Sequence, residues 1–509
     1  MGSQISLLLP EHINLQNPYL LAILLLLPLL QFFLPTLLRR HHPLTRTHAS
    51  QEPFHTTLPF RLHVLLLLLA GRHRRHVHYL TAYYPRARHH TFRIARSGFV
   101  NTIEPANIKT ILSTSFKSFS LGPNRYPALG PLLGKGVFTL DGEEWKHSRA
   151  MLRPQFKRNE ITTGLLDGSL VESTDKFLDL LAENPEDAAP ECFKLALDNA
   201  TEFLFGTSTR SLWGEDNAGF ADDFAVAQDW GLIRNRLGRY RDFLTPKHAW
   251  GAMNRCKAFV EGFVDKELAR RESGEKAEEE RYIFLRALAE DTQDRVVLRD
   301  QMLNILLAGR DTTAGTLGWT IYLLARHPEV YKKLREECLE AGTAFEDLKG
   351  NRYLQHVLNE VLRLYPNVPV NTRTAIEDVI LPLGGGPDEK SPILVKKGEQ
   401  VQYSVYAMHR RTDLWGEDAG EFKPERWEGR RVGWEYLPFN GGPRVCIGQQ
   451  YALTEIGYTV VRLVRRFKRL EVAGKGVEGG ENEEWCKGEV DMSANLTMSP
   501  RNVRVRFIE

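Results

Sequence analysis

From Glu143 to Phe156, Ser169 to Ala182, Cys192 to Phe205, Ala249 to Arg271, Leu298 to Arg326 and Leu354 to Leu364, apolar side chains recur every three or four residues. That spacing gathers them on one face of a helix and predicts a series of amphipathic helices. His90–Arg96 and Phe99–Glu104 alternate instead, on either side of Ser97–Gly98, and predict two short paired strands. Strand-like pieces return at Thr372–Leu381 and Val401–Ser404. Glu272–Arg281 and Gly474–Glu489 are rich in charge or glycine and predict solvated loops. Gly384, Gly385 and Gly386 run into Pro387–Asp388, so they make a turn and do not open a helix as a phosphate loop would. The pattern predicts a mainly α fold with a minor β component.

The N-terminus differs in kind. Pro18 to Leu38 carries no charged residue, and about 20 apolar residues suffice to cross a bilayer as a helix. Pro28 and Pro35 are tolerable kinks in such a helix. Arg39, Arg40 and Arg46 follow the run and only Glu11 precedes it, which orients the remainder of the chain to the cytosol. The run is too long for a cleaved signal, and no basic region precedes it. The expected organisation is a lumenal tail (1–17), a transmembrane anchor (18–38), a basic membrane-proximal segment (39–90) and one folded domain (91–509). Val64–Leu69 is too short to span and suits a monotopic helix on the membrane surface or a core helix.

Composition narrows the function. A net charge of +3 over 509 residues makes no case for nucleic acid. The five cysteines are odd in number and widely spaced, which disfavours both a disulfide framework and a four-cysteine zinc site. One of them stands in a distinctive setting. In Phe439-Asn-Gly-Gly-Pro-Arg-Val-Cys446-Ile-Gly448, glycines lead to a lone Cys just before a predicted helix at Gln449–Val464. A helix N-terminus favours thiolate over thiol. A thiolate is one of the few protein ligands that can hold haem iron.

The pattern F-x-x-G-x-R-x-C-x-G resembles the haem-binding signature of the cytochrome P-450 superfamily, and other segments agree in order. Glu360 and Arg363 form an E-x-x-R pair, and Arg426 stands in Pro424-Glu425-Arg426-Trp427; in the family this trio is a structural network. Ala308-Gly309-Arg310-Asp311-Thr312-Thr313 resembles the family's acid–alcohol segment, which implies proton delivery to oxygen by Asp311 and Thr312. Trp145 and Arg149, with Arg373 and Arg444, resemble the family's holders of the haem propionates, and Phe439 belongs to the cofactor-binding set. The basic side chains Lys146, Arg153, Lys157 and Arg158 form either a face for an acidic redox partner or an ordinary solvated face.

The resemblance implies a haem-thiolate monooxygenase fold and a haem-binding catalytic domain over 91–509. It implies haem b with Cys446 on the iron, NADPH through a separate NADPH-cytochrome reductase, O₂, an apolar substrate and membrane lipid, with the enzyme held in the endoplasmic reticulum membrane by one span. Leu306–Gly315, Asn359–Pro369, Tyr403–Arg411, Leu437–Glu455 and Phe138–Phe156 look like the fungal alkane- and fatty-acid-hydroxylating family, so terminal or near-terminal hydroxylation of a long chain is expected. Animal relatives often carry Glu where Ala308 stands and ester-link the haem; Ala308 implies non-covalent haem. Ala308, Val368, Val370, Asn371 and Thr497 are the substrate-lining candidates, and Arg234, Arg236 or Arg239 could meet a substrate carboxylate. The alternatives are a tailoring oxidase of a polyketide or terpenoid pathway and, in another class, a non-oxygenase haem-thiolate isomerase or haem sensor.

Overall fold

The computed structural model describes residues 51, 53–56, 89–94, 99–166, 168, 170–215, 219–274, 282–473, 492–494 and 496–509. The expected anchor at 18–38, the tail before it and most of the basic segment after it lie outside the described residues. Among the described residues no helix is long and apolar enough to cross a membrane.

Helices dominate. The ones that build the site are α1 (Gly142–Leu152), α2 (Leu170–Ala182), α3 (Ala189–Phe205), α4 (Phe220–Leu237), α5 (Lys247–Ser273), α6 (Arg295–Arg326), α7 (Arg352–Leu364) and α8 (Gln449–Arg466). The predicted helices are all present, most of them a few residues longer than expected. The Asp294 side chain caps α6 by accepting from the Val296 and Val297 amides at 2.8 and 3.0 Å. Its 32 residues make a rod about 48 Å long. Helices α3, α5, α7 and α8 pack around it. Trp319, fully buried on α6, stacks on Tyr365 with ring centroids 3.8 Å apart.

The strands are β1 (Phe54–Thr56), β2 (Thr91–Ile94), β3 (Phe99–Thr102), β4 (Phe119–Ser120), β5 (Val370–Ala375), β6 (Val379–Gly385), β7 (Ser391–Val395), β8 (Gln400–Ser404), β9 (Arg469–Val472), β10 (Met492–Ala494), β11 (Met498–Pro500) and β12 (Val505–Ile508). A mixed sheet has the order β1-β2-β3-β8-β5-β4, and β6/β7, β9/β12 and β10/β11 form separate pairs. The register of β5 on β8 sets Arg373 opposite Val401. A second hydrophobic cluster, including Phe92, Val401 and Tyr403, packs about this sheet, apart from the main core among the helices.

Periodicity did not reveal α4. Its buried positions Phe220, Phe224, Ala227, Gln228, Gly231 and Arg234 keep helical spacing, but half of them are not apolar. Arg234 is tolerated there because its guanidinium bonds to the Pro127 and Ala128 carbonyls, Thr245 and Asp242 at 2.7–3.3 Å.

Candidate active site

Polar chemistry fixes the frame first. Glu360 and Arg363, one turn apart on α7, are fully buried and paired through two hydrogen bonds of 2.8 Å. Removing either partner of such a pair leaves an uncompensated buried charge, which costs about 3–5 kcal/mol. Glu360 also accepts from Arg426 Nε at 3.3 Å, Trp427 Nε1 at 2.9 Å and the Lys423 amide at 3.1 Å. The spacing of E-x-x-R and P-E-R thus corresponds to one joined network.

His409, absent from the sequence reading, carries that network onward. Its Nδ1 hydrogen goes to the Arg363 carbonyl at 3.0 Å, because its Nε2 accepts from the Leu437 amide at 2.9 Å. Burial pushes the imidazole down to about 3, so it is neutral. Leu437 opens the loop that leads to Cys446.

The loop folds back on itself through the Cys446 amide, which donates to the Phe439 carbonyl at 3.0 Å. Asn440 has φ +63° and Gly442 φ +64°. A Cβ on Gly442 would lie 1.8 Å from the Leu112 carbonyl oxygen, so only glycine fits there. The chain then enters α8 at Gln449. Among the described cysteines Cys446 alone is exposed; Cys192, Cys256 and Cys338 are buried. A cavity of about 780 Å³ is lined by Cys446 together with Phe116, Trp145, Arg149, Phe156 and Val445 and the basic side chains Lys117, Lys146, Arg153 and Lys157. Arg158, expected on the same basic face, is paired with Glu346 at 2.6 Å.

Desolvation by the surrounding loop raises the Cys446 thiol, while the Gly448 amide and the Arg149 charge oppose it and favour the thiolate.

Arginines converge beside the loop. Arg149 donates to the Val445 carbonyl at 2.8 Å. Arg444 lies over the Trp145 ring at 4.3 Å and bonds to Asp141 at 2.7 Å. Arg373 bonds to the Asn371 side chain at 3.0 Å and the Thr372 carbonyl at 2.7 Å, and Arg125 bonds to the Phe138 carbonyl at 3.0 Å. Burial, and then the other guanidinium groups, push both Arg125 and Arg444 down to about 10. The sequence reading missed Arg125, which belongs to no motif; only the fold brings it to this cluster. Four cations meeting mainly neutral oxygens suit a ligand with two carboxylates, such as haem. The residues present therefore fit that group.

On α6, every residue from Asp300 to Ala325 is buried except Ala308, Gly309 and Thr312. These three share one face. Thr312 Oγ1 donates to the Ala308 carbonyl at 2.7 Å. Asp311 is buried beside Arg310, whose Nη1 donates to it at 3.2 Å. Burial raises the Asp311 carboxyl above the usual range, against the pull of Arg310 and Gln228.

The substrate-lining candidates separate. Val368 is exposed, and Val370, Leu496 and Thr497 are half-buried. Asn371 is turned to Arg373 and so belongs to the arginine cluster. Arg234, offered as a carboxylate partner, is spent on its own buried contacts, and Arg239 lies against the Tyr240 ring.

A family model described as cytochrome P450 matches residues 53–483. The chain belongs to the cytochrome P450 family. The family implies a haem-thiolate cofactor, and this P450 is a monooxygenase. It is 48% identical over 388 residues to cytochrome P450 monooxygenase himC of Aspergillus japonicus, covering 73% of this chain and 69% of that one. It is 44% identical to cytochrome P450 52E1 of Candida apicola, covering 76% and 79%. It is 40% identical over 475 residues to cytochrome P450 52A3-B of Candida maltosa, covering 86% and 90%.

Proposed function

We propose that this P450 hydroxylates a long linear alkyl or acyl chain at or near its end. The overall reaction takes O₂ and two electrons from NADPH, delivered by a separate reductase; one oxygen atom enters the C–H bond and the other leaves as water. The observation that carries the oxygenase reading is the break in burial on α6 at Ala308, Gly309 and Thr312, with the acid Asp311 next to the alcohol. Proton delivery to oxygen is what separates an oxygenase from a haem-thiolate isomerase or sensor.

Haem b, bound without a covalent link through its edge, supplies the O₂ activation that inserts oxygen into an unactivated C–H bond. The protein's own groups do the rest. When haem is bound, Cys446 would be the iron ligand and Arg149, Arg373, Arg444 and Arg125 would neutralise the propionates beside Trp145, with Phe439 closing the loop. Thr312 would pass a proton from Oγ1 toward the bound oxygen, and Asp311, whose carboxyl burial raises above the usual range, would resupply it. Lys117, Lys146, Arg153 and Lys157 form the basic face on which an acidic reductase docks. Val368, Val370 and Leu496 offer apolar walls to a hydrocarbon chain. A primary C–H bond is harder to break than its secondary neighbours, so terminal oxidation requires a pocket that admits only the chain end.

The chain specificity is supported by the resemblance of Leu306–Gly315 and Leu437–Glu455 to the fungal alkane and fatty-acid hydroxylases. The apolar run 18–38, read as a single endoplasmic reticulum anchor with 91–509 in the cytosol, supports loading of apolar chains from the bilayer. Product profiling of the full chain with reductase, NADPH, dodecane and dodecanoic acid tests the reading. Hydroxylation within the last few carbons is expected. Oxidation of ring-containing terpenoids with no turnover of any linear chain overturns it in favour of a biosynthetic tailoring oxidase.

A further inference from the structure

Asn367 lies just beyond α7 and is 6% exposed. Its side-chain amide donates to Thr316 Oγ1 on α6 at 2.7 Å. Its backbone carbonyl accepts from the Met498 amide at the start of β11 at 2.8 Å. Thr316 Oγ1 spends its one proton on the Thr312 carbonyl at 2.9 Å. The Asn367 atom facing Thr316 is therefore the NH₂ group, which fixes the orientation of the amide. Its Oδ1 is buried with no hydrogen-bond partner among the described residues.

The helix surface beneath is cut to receive this joint. A Cβ on Gly315 would lie 2.9 Å from the Met498 carbonyl oxygen and 3.0 Å from Asn367 Oδ1. A Cβ on Gly318 would lie 2.9 Å from Pro500 Cγ. The two glycines, three residues apart, leave a groove on α6 in which β11 rests. The ends of the joint lead to three places read above as substrate-facing: Thr312 one turn back on α6, Val368 one residue on, and Leu496–Thr497 before β11.

We propose that Asn367 is a positioning residue that locks the turn before β11 and the segment after α7 to α6, and so sets which carbon of a bound chain lies beside Thr312. An apolar side chain would serve the core as well without leaving a buried acceptor unpaired, so stability alone does not account for an amide here. A directional hydrogen-bonded joint fixes one arrangement of three elements, which non-directional packing does not. The inference rests on the linear-chain reading above and deepens it to the choice of position.

The test uses the holoenzyme with reductase and dodecanoic acid, comparing Asn367→Leu, which keeps the branched outline but removes the polar atoms, with Thr316→Val, which keeps shape. Three quantities are read: the ratio of terminal to subterminal products, the share of NADPH electrons released as peroxide, and amide hydrogen exchange at Met498 in the resting enzyme. Loss of one hydrogen bond predicts a change of about fivefold in product ratio and a similar acceleration of Met498 exchange in each variant. The double variant should go no further than either single one, because both break the same joint. An unchanged product ratio in both variants, with haem retained, overturns the proposal. Should the wild type oxidise no linear chain, the substrate reading fails, and the exchange measurement decides the joint by itself: unchanged Met498 exchange in both variants refutes it.

Discussion

Thr312 Oγ1 is held 2.7 Å from the carbonyl oxygen of Ala308, and the Thr316 hydroxyl is held in the same way 2.9 Å from the carbonyl of Thr312. Hydroxyls tied to the carbonyl four residues back bend a helix slightly and leave those carbonyls with two donors. Thr312 differs from Thr316 in being partly exposed, so its hydroxyl proton can be exchanged.

Thr312→Ala therefore keeps haem and fold but uncouples electron use from product. The peroxide share of NADPH consumption rises by about tenfold or more, from loss of general acid–base assistance worth roughly 10²–10⁴-fold. Thr312→Ser restores coupling. Stoichiometry of NADPH, O₂, peroxide and product measures this, and unchanged coupling in the alanine variant returns Thr312 to a helix residue.

Arg125 and Arg444 are pressed together by the fold and made costly by burial, a cost that two carboxylates would offset. Arg125→Leu and Arg444→Leu should each speed haem transfer to an acceptor apoprotein about tenfold or more, from loss of a charged hydrogen bond worth roughly 1.5–3 kcal/mol. Without added haem, the leucine variants should be no less stable than the wild type, because mutual repulsion is relieved.

How much of this was legible in the sequence follows the physics of each part. Helix periodicity located α6 and α7 because their neighbours are apolar, and E-x-x-R located a network because one helical turn brings positions 360 and 363 together. It did not locate α4, where Gln228 and Arg234 occupy inward positions. Nor did it locate His409 or Arg125, whose roles depend on partners far away in the chain: Leu437 in one case, Arg373 and Arg444 in the other. Local motifs are visible in one dimension; desolvation and long-range contacts are not.

Glu455 on α8 is another such group. It is buried, accepts from Asn199 Nδ2 at 2.8 Å, and burial pushes its carboxyl up to about 8. The unfolded chain releases that proton near pH 4.5 while the folded chain keeps it, so stability falls as pH rises from about 4.5 to 8. Glu455→Gln removes this titration. Thermal unfolding between pH 5 and 8 should be flatter for the glutamine variant and its midpoint higher at pH 8, by about 1–2 °C if the gain is about 1–2 kcal/mol. A parallel pH dependence in the two proteins contradicts the assignment.

The central claim is that Cys446 holds the iron of a haem-thiolate monooxygenase. The most direct measurement is the reduced carbon-monoxide difference spectrum of the full chain and of Cys446→Ala, each reconstituted with haem. The account predicts the long-wavelength band of thiolate-bound haem in the wild type and its complete loss in the variant, while Cys192→Ala, Cys256→Ala and Cys338→Ala retain it. A Cys446→Ala protein that keeps the band, or a wild type that never shows it, contradicts the account.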